Sequence, residues 1–379
     1  MADTPVLGRT RTSFDFDDRP LLAIWEVTQA CDLVCQHCRA CATPKRNPAE
    51  LDTREGTRLL DQIADMGTPL VVLTGGDPSK RPDLVDLVSH GVQRGLTMAL
   101  TPSGTGLMTR DVLAQLADAG LSRVAVSVDG PDAATHDRFR GVMGSFDHSL
   151  RILEDARSLD VERQINFTLS RLSIDKVDAM AELAARVDAA LLSVFVVIPT
   201  GRAAEHLTLD AEEVERALER LAEIAHEAPF QVKTTGAPQF RRVLMQAHAK
   251  RTSVLGVHQN VDAEGHVRST RGINDGNGFL FVSHVGDVFP SGFLPIRAGN
   301  VRLQPLASIY RSSRLFQRLR DASLVQGKCG ACAFKWACGG SRARAYATTG
   351  NELAADPGCA YVPPGWELGE VLSERALAG

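Results

Sequence analysis

Cysteines in two groups are the residues of this chain whose type and spacing could do chemistry. Cys31, Cys35 and Cys38 form a C-x3-C-x2-C stretch directly after the apolar run 21–27. Soft thiolate ligands of this kind select iron–sulfur clusters or zinc. Three of them in one loop can hold a 4Fe–4S cluster and leave one iron open to a small chelating ligand. A zinc site and buried free cysteines are the alternatives.

A second group, Cys329, Cys332, Cys338 and Cys359, lies near the end of the chain. No cysteine stands between this group and Cys41, so we expect two separate metal sites. A C-x2-C pair followed by two more cysteines ordinarily suggests zinc. We do not expect Cys41 to be a ligand of the first site, because a fourth thiolate would close the open iron.

The first stretch resembles the radical S-adenosylmethionine (SAM) superfamily, whose hallmark is this cysteine spacing. The resemblance implies an enzyme of the oxidoreductase or lyase type, in which the open iron of the cluster is chelated by SAM. An electron from the cluster would cleave SAM to a 5′-deoxyadenosyl radical, which abstracts a hydrogen atom from a substrate. His37 stands where the family usually has an aromatic residue, and we expect its ring to pack over the adenine or to shield the cluster.

The resemblance places the contacts to SAM at the carboxyl ends of the strands, where parallel α/β folds bind ligands. The stretch Gly75-Gly76-Asp77 matches the family's Gly-Gly-Glu motif for the methionyl amino group, with Asp for Glu, although an ordinary turn would look the same. Ser103 and Ser127 can bind ribose hydroxyls or the methionyl carboxylate, and Asn166 is expected to face the barrel lumen. Arg140 could meet a carboxylate or form a stabilising salt bridge.

Strands and helices alternate along most of the chain, which predicts a parallel α/β sheet. We expect strands at 21–27, 69–74, 98–101, 123–128, 164–169 and 191–198. Helices are expected at 52–66, 82–94, 109–119, 145–158, 173–187 and 210–228. Residues 233–238 are predicted to be a loop, 240–251 a helix and 279–291 a hairpin. The resemblance implies a partial (β/α)6 barrel, while a doubly wound sheet would fit the same periodicity.

The C-terminal cysteines resemble the SPASM or twitch domain, which holds auxiliary 4Fe–4S clusters in radical SAM enzymes. Ser291 and Arg342 stand where the full pattern has cysteines, so ligands for one of its two clusters are missing together. The resemblance therefore implies one auxiliary cluster, ligated by all four cysteines of the second group. We expect a lead-in at 1–19, the barrel at 20–229, a connecting region at 230–278 and the auxiliary-cluster domain at 279–379.

Composition limits the partners and the cellular location that we expect for the protein. The chain has 379 residues and a net charge of −4, which gives no basic field for nucleic acid or anionic membranes. No secretion signal and no apolar stretch of membrane-spanning length is present, so we expect a cytoplasmic protein. Clustered cysteines there indicate metal or catalysis instead of disulfides. We expect a flavodoxin- or ferredoxin-type electron donor.

Three classes of substrate are compatible with this resemblance. Truncated SPASM domains occur in radical SAM enzymes that oxidatively decarboxylate tetrapyrroles, in peptide maturases and in antibiotic-pathway dehydrogenases. The short lead-in has no room for a leader-peptide-binding domain, which favours the tetrapyrrole. Cations that could bind a carboxylate-rich substrate, or could simply be solvated, are Lys233, Arg241, Arg242, Arg251, Arg268 and Arg271. A zinc-stabilised binding scaffold is the non-enzymatic alternative.

Overall fold

A single sheet joins the strands of the part of the chain that is described. The structure is a computed structural model that describes residues 14–203, 205–253 and 271–366. The strands, in chain order, are β1 (Leu22–Thr28), β2 (Leu70–Gly75), β3 (Thr97–Leu100), β4 (Arg123–Ser127), β5 (Glu162–Leu169), β6 (Leu191–Val196), β7 (Gln231–Thr235), β8 (Phe279–Val282), β9 (Asp287–Phe289) and β10 (Gly299–Asn300). Their order across the sheet is β10-β9-β8-β1-β2-β3-β4-β5-β6-β7.

The sheet is open and mostly parallel. Strands β1 to β7 are parallel neighbours in chain order, and β8 pairs with the free edge of β1, also in parallel. The partial barrel expected from the sequence is therefore confirmed, with β7 as one more strand than the six predicted. The predicted hairpin is also confirmed, since β8 and β9 pair antiparallel. It extends the barrel sheet, and the division into domains remains a prediction.

Helices follow the strands and cover the outer face of the sheet. They are α1 (Thr53–Asp65), α2 (Leu84–Gln93), α3 (Arg110–Asp118), α4 (Ala133–Arg140), α5 (Ser145–Ser158), α6 (Val177–Arg186), α7 (Ala211–Glu227), α8 (Phe240–Ser253), α9 (Leu306–Ser312), α10 (Arg314–Arg320), α11 (Gly327–Ala331) and α12 (Arg342–Thr349). Among the described residues, no helix combines the length and the apolar character that crossing a membrane would require.

Side chains along each strand point alternately to the helices and to the lumen of the barrel. Trp25, Leu73, Val126, Phe167 and Val194 are at most 1% exposed and pack together in the main hydrophobic core. Successive side chains of a strand point to opposite faces, so the residues between them line the lumen. Several polar side chains of the strands, among them Glu26, Asn166 and Ser193, fall on the lumen side.

The structure differs from the sequence prediction at three places. Residues 233–235, predicted as a loop, belong to β7, where Val232 packs on the core and the two threonines suit a strand. Helix α4 was not predicted. It begins where Asp132 accepts a hydrogen bond from the Thr135 amide at 2.8 Å and ends at Gly141, whose φ is 73°. The predicted helix at 173–187 is a 3-10 turn followed by α6.

Candidate functional site

The cysteine loop after β1 is closed by backbone hydrogen bonds. The Cys31 amide donates to the Thr43 carbonyl at 2.8 Å, and the Thr43 amide donates to the Gln29 carbonyl at 3.3 Å. Ala30 and Thr43 form an isolated parallel bridge. The three predicted ligands therefore lie inside one closed loop that starts at the carboxyl end of a central strand.

Thiols of this loop are largely buried and surrounded by donors. Cys31 and Cys35 are 6% and 7% exposed and pack together with Cys38. Cys31 Sγ lies 3.4 Å from the Leu33 amide, and Cys38 Sγ lies 3.5 Å from the Ala42 amide. Burial raises the pKa of the Cys31 and Cys35 thiols, so a bound metal must supply the positive charge that keeps them ionised. Amide donors around sulfur are typical of iron–sulfur sites.

Glycines at the end of β2 are fixed against the chain that enters the cysteine loop. The Gly76 amide donates to the Thr28 carbonyl at 2.8 Å, and the Asp77 amide donates to the Ala30 carbonyl at 2.6 Å. A Cβ atom on Gly75 would stand 2.6 Å from the Thr28 carbonyl oxygen. These glycines are required by the close approach of two backbones, independently of any ligand.

Asp77, predicted to contact SAM, has a buried carboxylate with protein partners. Its oxygens accept hydrogen bonds from Thr105 Oγ1 at 2.7 Å and from the Ser79 amide at 3.1 Å. Burial raises the pKa of this carboxyl, opposed by those hydrogen bonds. The side chain thus fixes the loop that follows β3.

Ser103 in that loop connects the Gly-Gly-Asp stretch with the cysteines. Its hydroxyl donates to the Gly76 carbonyl at 2.7 Å, and its oxygen lies 3.3 Å from Cys31 Sγ. Ser103 is therefore in direct contact with both the Gly-Gly-Asp stretch and the first cysteine.

A buried ion pair joins the end of β4 to the same loop. Arg140 Nη2 lies 2.6 Å from Asp129 Oδ2, and Arg140 Nη1 lies 3.8 Å from Cys35 Sγ. Burial would raise the pKa of the Asp129 carboxyl, but Arg140 and the nearby histidines outweigh it and lower that pKa. Of the two roles considered for Arg140, the structure shows the salt bridge, with Asp129 as its partner.

His37 packs beside this ion pair. Its ring stacks on Phe139 with centroids 4.3 Å apart and an interplanar angle of 12°. Burial lowers the pKa of His37 to about 4, although Asp129 lies 3.7 Å from its Nε2 atom. The imidazole is therefore neutral at neutral pH, and its role in shielding a cluster remains a prediction.

Glu26 forms a second charged cluster that the sequence analysis missed. It is 4% exposed on the lumen side of β1 and binds Arg39 at 2.6 Å and His284 at 2.8 Å. Burial raises the pKa of the Glu26 carboxyl, but Arg39 and His284 outweigh it and lower that pKa below the usual value. The signal was a single acidic residue inside an otherwise apolar strand. This cluster connects the cysteine loop to the turn of the β8–β9 hairpin.

The other predicted contacts lie farther along the sheet. Ser127 on β4 is in register with Asn166 on β5, and Gln164 donates to the Asn166 side chain at 2.7 Å. Both face the lumen, because Val126 and Ile165 pack in the core. Cys41, which we did not assign to the site, is exposed and has a φ of 47°.

Four cysteines near the C-terminus line one common pocket. Cys329, Cys332, Cys338 and Cys359 all border it, with cations from Arg242, Lys328 and Lys335. Amides donate to three of the sulfurs: Asp356 to Cys329 at 3.3 Å, Phe334 to Cys332 at 3.4 Å and Gly340 to Cys338 at 3.4 Å. Burial raises the pKa of Cys359 to about 11.

The donor set of this pocket suits a cluster by residue type. A cubane cluster binds each of four thiolates through a different iron. Four cysteine thiols border this one pocket, and thiolates are the ligands that iron–sulfur clusters prefer.

Residues at the missing cysteine positions have structural partners. Arg342 is 2% exposed and donates to the carbonyls of Glu352 and Ala354 at 3.1 and 2.7 Å. Ser291 is 4% exposed, and its hydroxyl oxygen lies 3.3 Å from the Phe293 amide. Both side chains fill their positions with protein contacts.

Comparison with known proteins gives a consistent family. The profile of the Radical SAM superfamily matches residues 25–184. The chain is 40% identical to the AdoMet-dependent heme synthase of Methanosarcina barkeri over 91% of this chain and 97% of that protein. It is 32% identical to the PqqA peptide cyclase of Rhodopseudomonas palustris over 95% of this chain and 92% of that protein.

A solved structure shares the fold. The crystal structure of Streptococcus suis SuiB matches with a TM-score of 0.71 at 18% identity, covering 91% of this chain and 78% of that one. The likeness supports the arrangement of strands and helices described above and is too distant to carry an activity.

Proposed function

The chain belongs to the radical SAM superfamily, and on that premise we propose that it oxidatively decarboxylates propionate side chains of a tetrapyrrole. The observation that carries the proposal is the 40% identity to an AdoMet-dependent heme synthase. The alignment covers 91% of this chain and 97% of that protein, so the likeness extends well beyond the residues matched by the family profile.

Family membership implies a 4Fe–4S cluster and SAM. Cys31, Cys35 and Cys38 are the cluster ligands we propose, because they lie in one closed loop with amide donors on two of the sulfurs. Cluster and SAM, when bound, supply a 5′-deoxyadenosyl radical. The protein's part is to orient SAM against the open iron and to exclude water.

Contacts to SAM are assigned to the strand ends nearest the cysteines. Gly75, Gly76, Asp77 and Ser103 support the proposal by their direct hydrogen bonds to the chain at Thr28, Ala30 and Cys31. Ser127 and Asn166 continue this edge along the lumen. His37 is neutral and stacked on Phe139, so we assign it to shielding the cluster.

The proposed reaction removes one hydrogen atom, one CO₂ and one electron from each propionate. A hydrogen atom leaves the propionate carbon adjacent to the ring and forms 5′-deoxyadenosine. The bond to the carboxylate then breaks, CO₂ leaves and a carbon–carbon double bond forms, which gives a vinyl group. One electron remains and needs an acceptor.

An auxiliary 4Fe–4S cluster at Cys329, Cys332, Cys338 and Cys359 is the acceptor we propose. Four protein ligands leave no iron open to substrate, which suits electron transfer. Cations of Arg242, Lys328 and Lys335 border the same pocket, and positive charge favours the reduced form of a cluster.

The electron that starts each cycle is proposed to come from a flavodoxin- or ferredoxin-type protein in the cytoplasm. Val34 is 58% exposed in the loop that carries the buried Cys35. An apolar side chain beside a buried ligand gives such a donor a short path to the proposed cluster.

The proposal is tested with anaerobically reconstituted enzyme, SAM, dithionite and iron coproporphyrin III, whose side chains include propionates. Mass spectrometry should show conversion of propionate to vinyl groups, with one 5′-deoxyadenosine formed for each. The Cys31/Cys35/Cys38 triple alanine variant is the control. Formation of 5′-deoxyadenosine with the porphyrin unchanged would overturn the proposal, and cross-linking of a supplied precursor peptide instead would assign the chain to the peptide maturases.

A further inference from the structure

A row of polar side chains crosses the lumen side of four neighbouring strands at the same level. The sheet register pairs Ser127 on β4 with Asn166 on β5, Asn166 with Ser193 on β6, and Ser193 with Lys233 on β7. The adjacent residue on each strand packs on the helix-facing side, at Val126, Ile165, Leu192 and Val232. The row, which we call the polar row, therefore faces the lumen over its whole length.

One end of the polar row lies close to the cysteine loop. Ser127 ends β4, and two residues later Asp129 forms the ion pair with Arg140 beside Cys35. The other end is Lys233, on the outermost strand of the open sheet. A ligand that enters the lumen through the open side meets Lys233 before it reaches the cysteines.

Lys233 has a charge that no neighbour among the described residues neutralises. Its side chain is exposed, and no carboxylate of those residues forms an ion pair with it. The charged residue that affects the pKa of Lys233 is Arg123, a cation on the lumen side of β4. Arg123 itself pairs with Glu162 at 2.7 Å. Water still reaches the side chain in the open lumen, but the surrounding protein atoms partly desolvate the ammonium group. This burial and the like charge of Arg123 together lower the pKa of Lys233 to about 8. An uncompensated ammonium group in such a place attracts an anion.

Ser193 adds a second unsatisfied group to the polar row. Its side chain is fully buried next to Lys233, and its hydroxyl has no hydrogen-bond partner within residues 14–203, 205–253 and 271–366. Buried polar groups are nearly always satisfied in native proteins. Two adjacent side chains in one row thus lack the partners that a purely structural role would provide.

Three of the five other cations that the sequence offered for a carboxylate, Arg241, Arg242 and Arg271, have partners elsewhere in the protein. Arg241 donates to the carbonyls of Ala337 and Ile273. Arg242 pairs with Glu215 at 2.5 Å beside the second cysteine group.

Three more of that set complete the comparison. Arg271 pairs with Asp17 at 3.1 Å. Arg268 lies outside the described residues, and Arg251 is an exposed residue in the last turn of α8, away from the polar row. Lys233 differs from the paired cations because it stands on the lumen wall with its charge unpaired.

We propose that Lys233 binds a carboxylate of the substrate inside the barrel, as the polar anchor that holds the substrate along the polar row. The inference rests on the proposed function, since it assigns this cation to a propionate of the tetrapyrrole. A lysine ammonium and a carboxylate form a short charge-assisted hydrogen bond, which is strong where water is partly excluded. The apolar neighbours on the lumen wall leave the macrocycle itself to be bound by packing.

The test measures binding first. Equilibrium dialysis of the anaerobic holoenzyme against iron coproporphyrin III, and against its propionamide derivative, should show that the wild type prefers the free acid. The Lys233→Gln variant should bind the acid about 10- to 100-fold more weakly, the range expected for loss of a charged hydrogen bond, and should lose the preference over the amide. The Lys233→Arg variant should retain most of the preference for the free acid over the amide.

Controls separate this role from a structural one. Lys176→Gln removes a lysine that pairs with Asp175 on the surface and should bind like the wild type. Circular dichroism and iron content of Lys233→Gln should match the wild type, and so should 5′-deoxyadenosine released without substrate. Loss of that release would mean that Lys233 serves SAM and would overturn the inference.

The remaining outcomes are distinct. Equal binding of the acid by the wild type and by a folded Lys233→Gln variant overturns this inference alone and leaves the proposed function standing. Absence of any porphyrin binding to the wild type overturns the proposed function and the inference with it.

Discussion

Arg140 Nη2 lies 2.6 Å from Asp129 Oδ2, and the two side chains are 12% and 0% exposed. The same guanidinium reaches Cys35 Sγ at 3.8 Å. One side chain of α4 therefore connects the end of β4 to the cysteine loop. It places a positive charge beside a proposed thiolate ligand, and Asp129 keeps that charge paired when the thiol is protonated.

Replacing Asp129 by Asn should be strongly destabilising. The amide oxygen can still accept the hydrogen bond from the Thr168 amide, now at 2.7 Å, but it cannot neutralise Arg140. Leaving a buried charge uncompensated costs about 3–5 kcal/mol. Urea unfolding of anaerobic protein measures this free energy, and Asp178→Asn, which removes the exposed partner of Arg220, is the control expected to unfold like the wild type. Equal stability of the two variants would show that the pair is dispensable.

The first cysteine group should account for SAM cleavage. Changing Cys31, Cys35 and Cys38 together to Ala should remove about four of the about eight irons of the reconstituted protein. It should also abolish 5′-deoxyadenosine formation under dithionite, because the open iron disappears with its cluster. Iron analysis and chromatography of the nucleoside give both readouts. Undiminished 5′-deoxyadenosine in this variant contradicts the assignment.

Cys41→Ala is the matched single-cysteine variant of the same loop. Its thiol is exposed, whereas Cys31 and Cys35 are buried. We expect the iron content and the rate of SAM cleavage to stay near the wild-type values. Loss of about four irons would show that Cys41 is a cluster ligand after all.

The sequence predicted most residues of the candidate site, but it explained few of their contacts within the protein. The cysteine spacing and the strand order placed Cys31, Gly76 and Ser103 together, because strand ends in a parallel sheet meet at one edge. From the sequence, access for a ligand was the only reason for the two glycines. The structure adds a second reason, because the ends of β1 and β2 bring the backbones of Thr28 and Gly75 close together.

Long-range pairs were outside the reach of the sequence. A contact with a carboxylate and a stabilising salt bridge were both left open for Arg140. Identifying Asp129 as its partner required the position of α4, a helix that lacks a strong apolar pattern. Lys233 was named only as one cation among six, since β7 has few apolar residues and was predicted as a loop. Its isolation on the lumen wall follows from the register of four strands.

The pH dependence of turnover should report Lys233. Its pKa is lowered to about 8, so the ammonium is charged below that pH and loses its charge as the pH rises through it. Binding of a carboxylate requires the charged form, so kcat/KM for the porphyrin should fall about tenfold per pH unit above that value. Lys233→Arg should extend the plateau to higher pH, because a guanidinium stays protonated. A profile unchanged by this substitution would contradict the role of the lysine.

The two cysteine groups should be separable by function. Cys329→Ala/Cys332→Ala removes two of the four thiols that line the C-terminal pocket, far along the chain from the cysteine loop. SAM binding and 5′-deoxyadenosine release under dithionite should survive, because they need only the first cluster. Conversion of the porphyrin to its vinyl product should fail, since the electron left after CO₂ departs has no acceptor.

A structural role for the second group predicts a different result for the same variant. If the proposed auxiliary cluster only fastens the chain, its loss should unfold the neighbouring barrel. The Arg242–Glu215 ion pair connects the pocket to α7, so disorder in the pocket could spread to the barrel through this contact. Circular dichroism and iron content distinguish the two cases. A folded variant that makes the vinyl product at the wild-type rate would refute the acceptor role and leave the second cluster as a structural element.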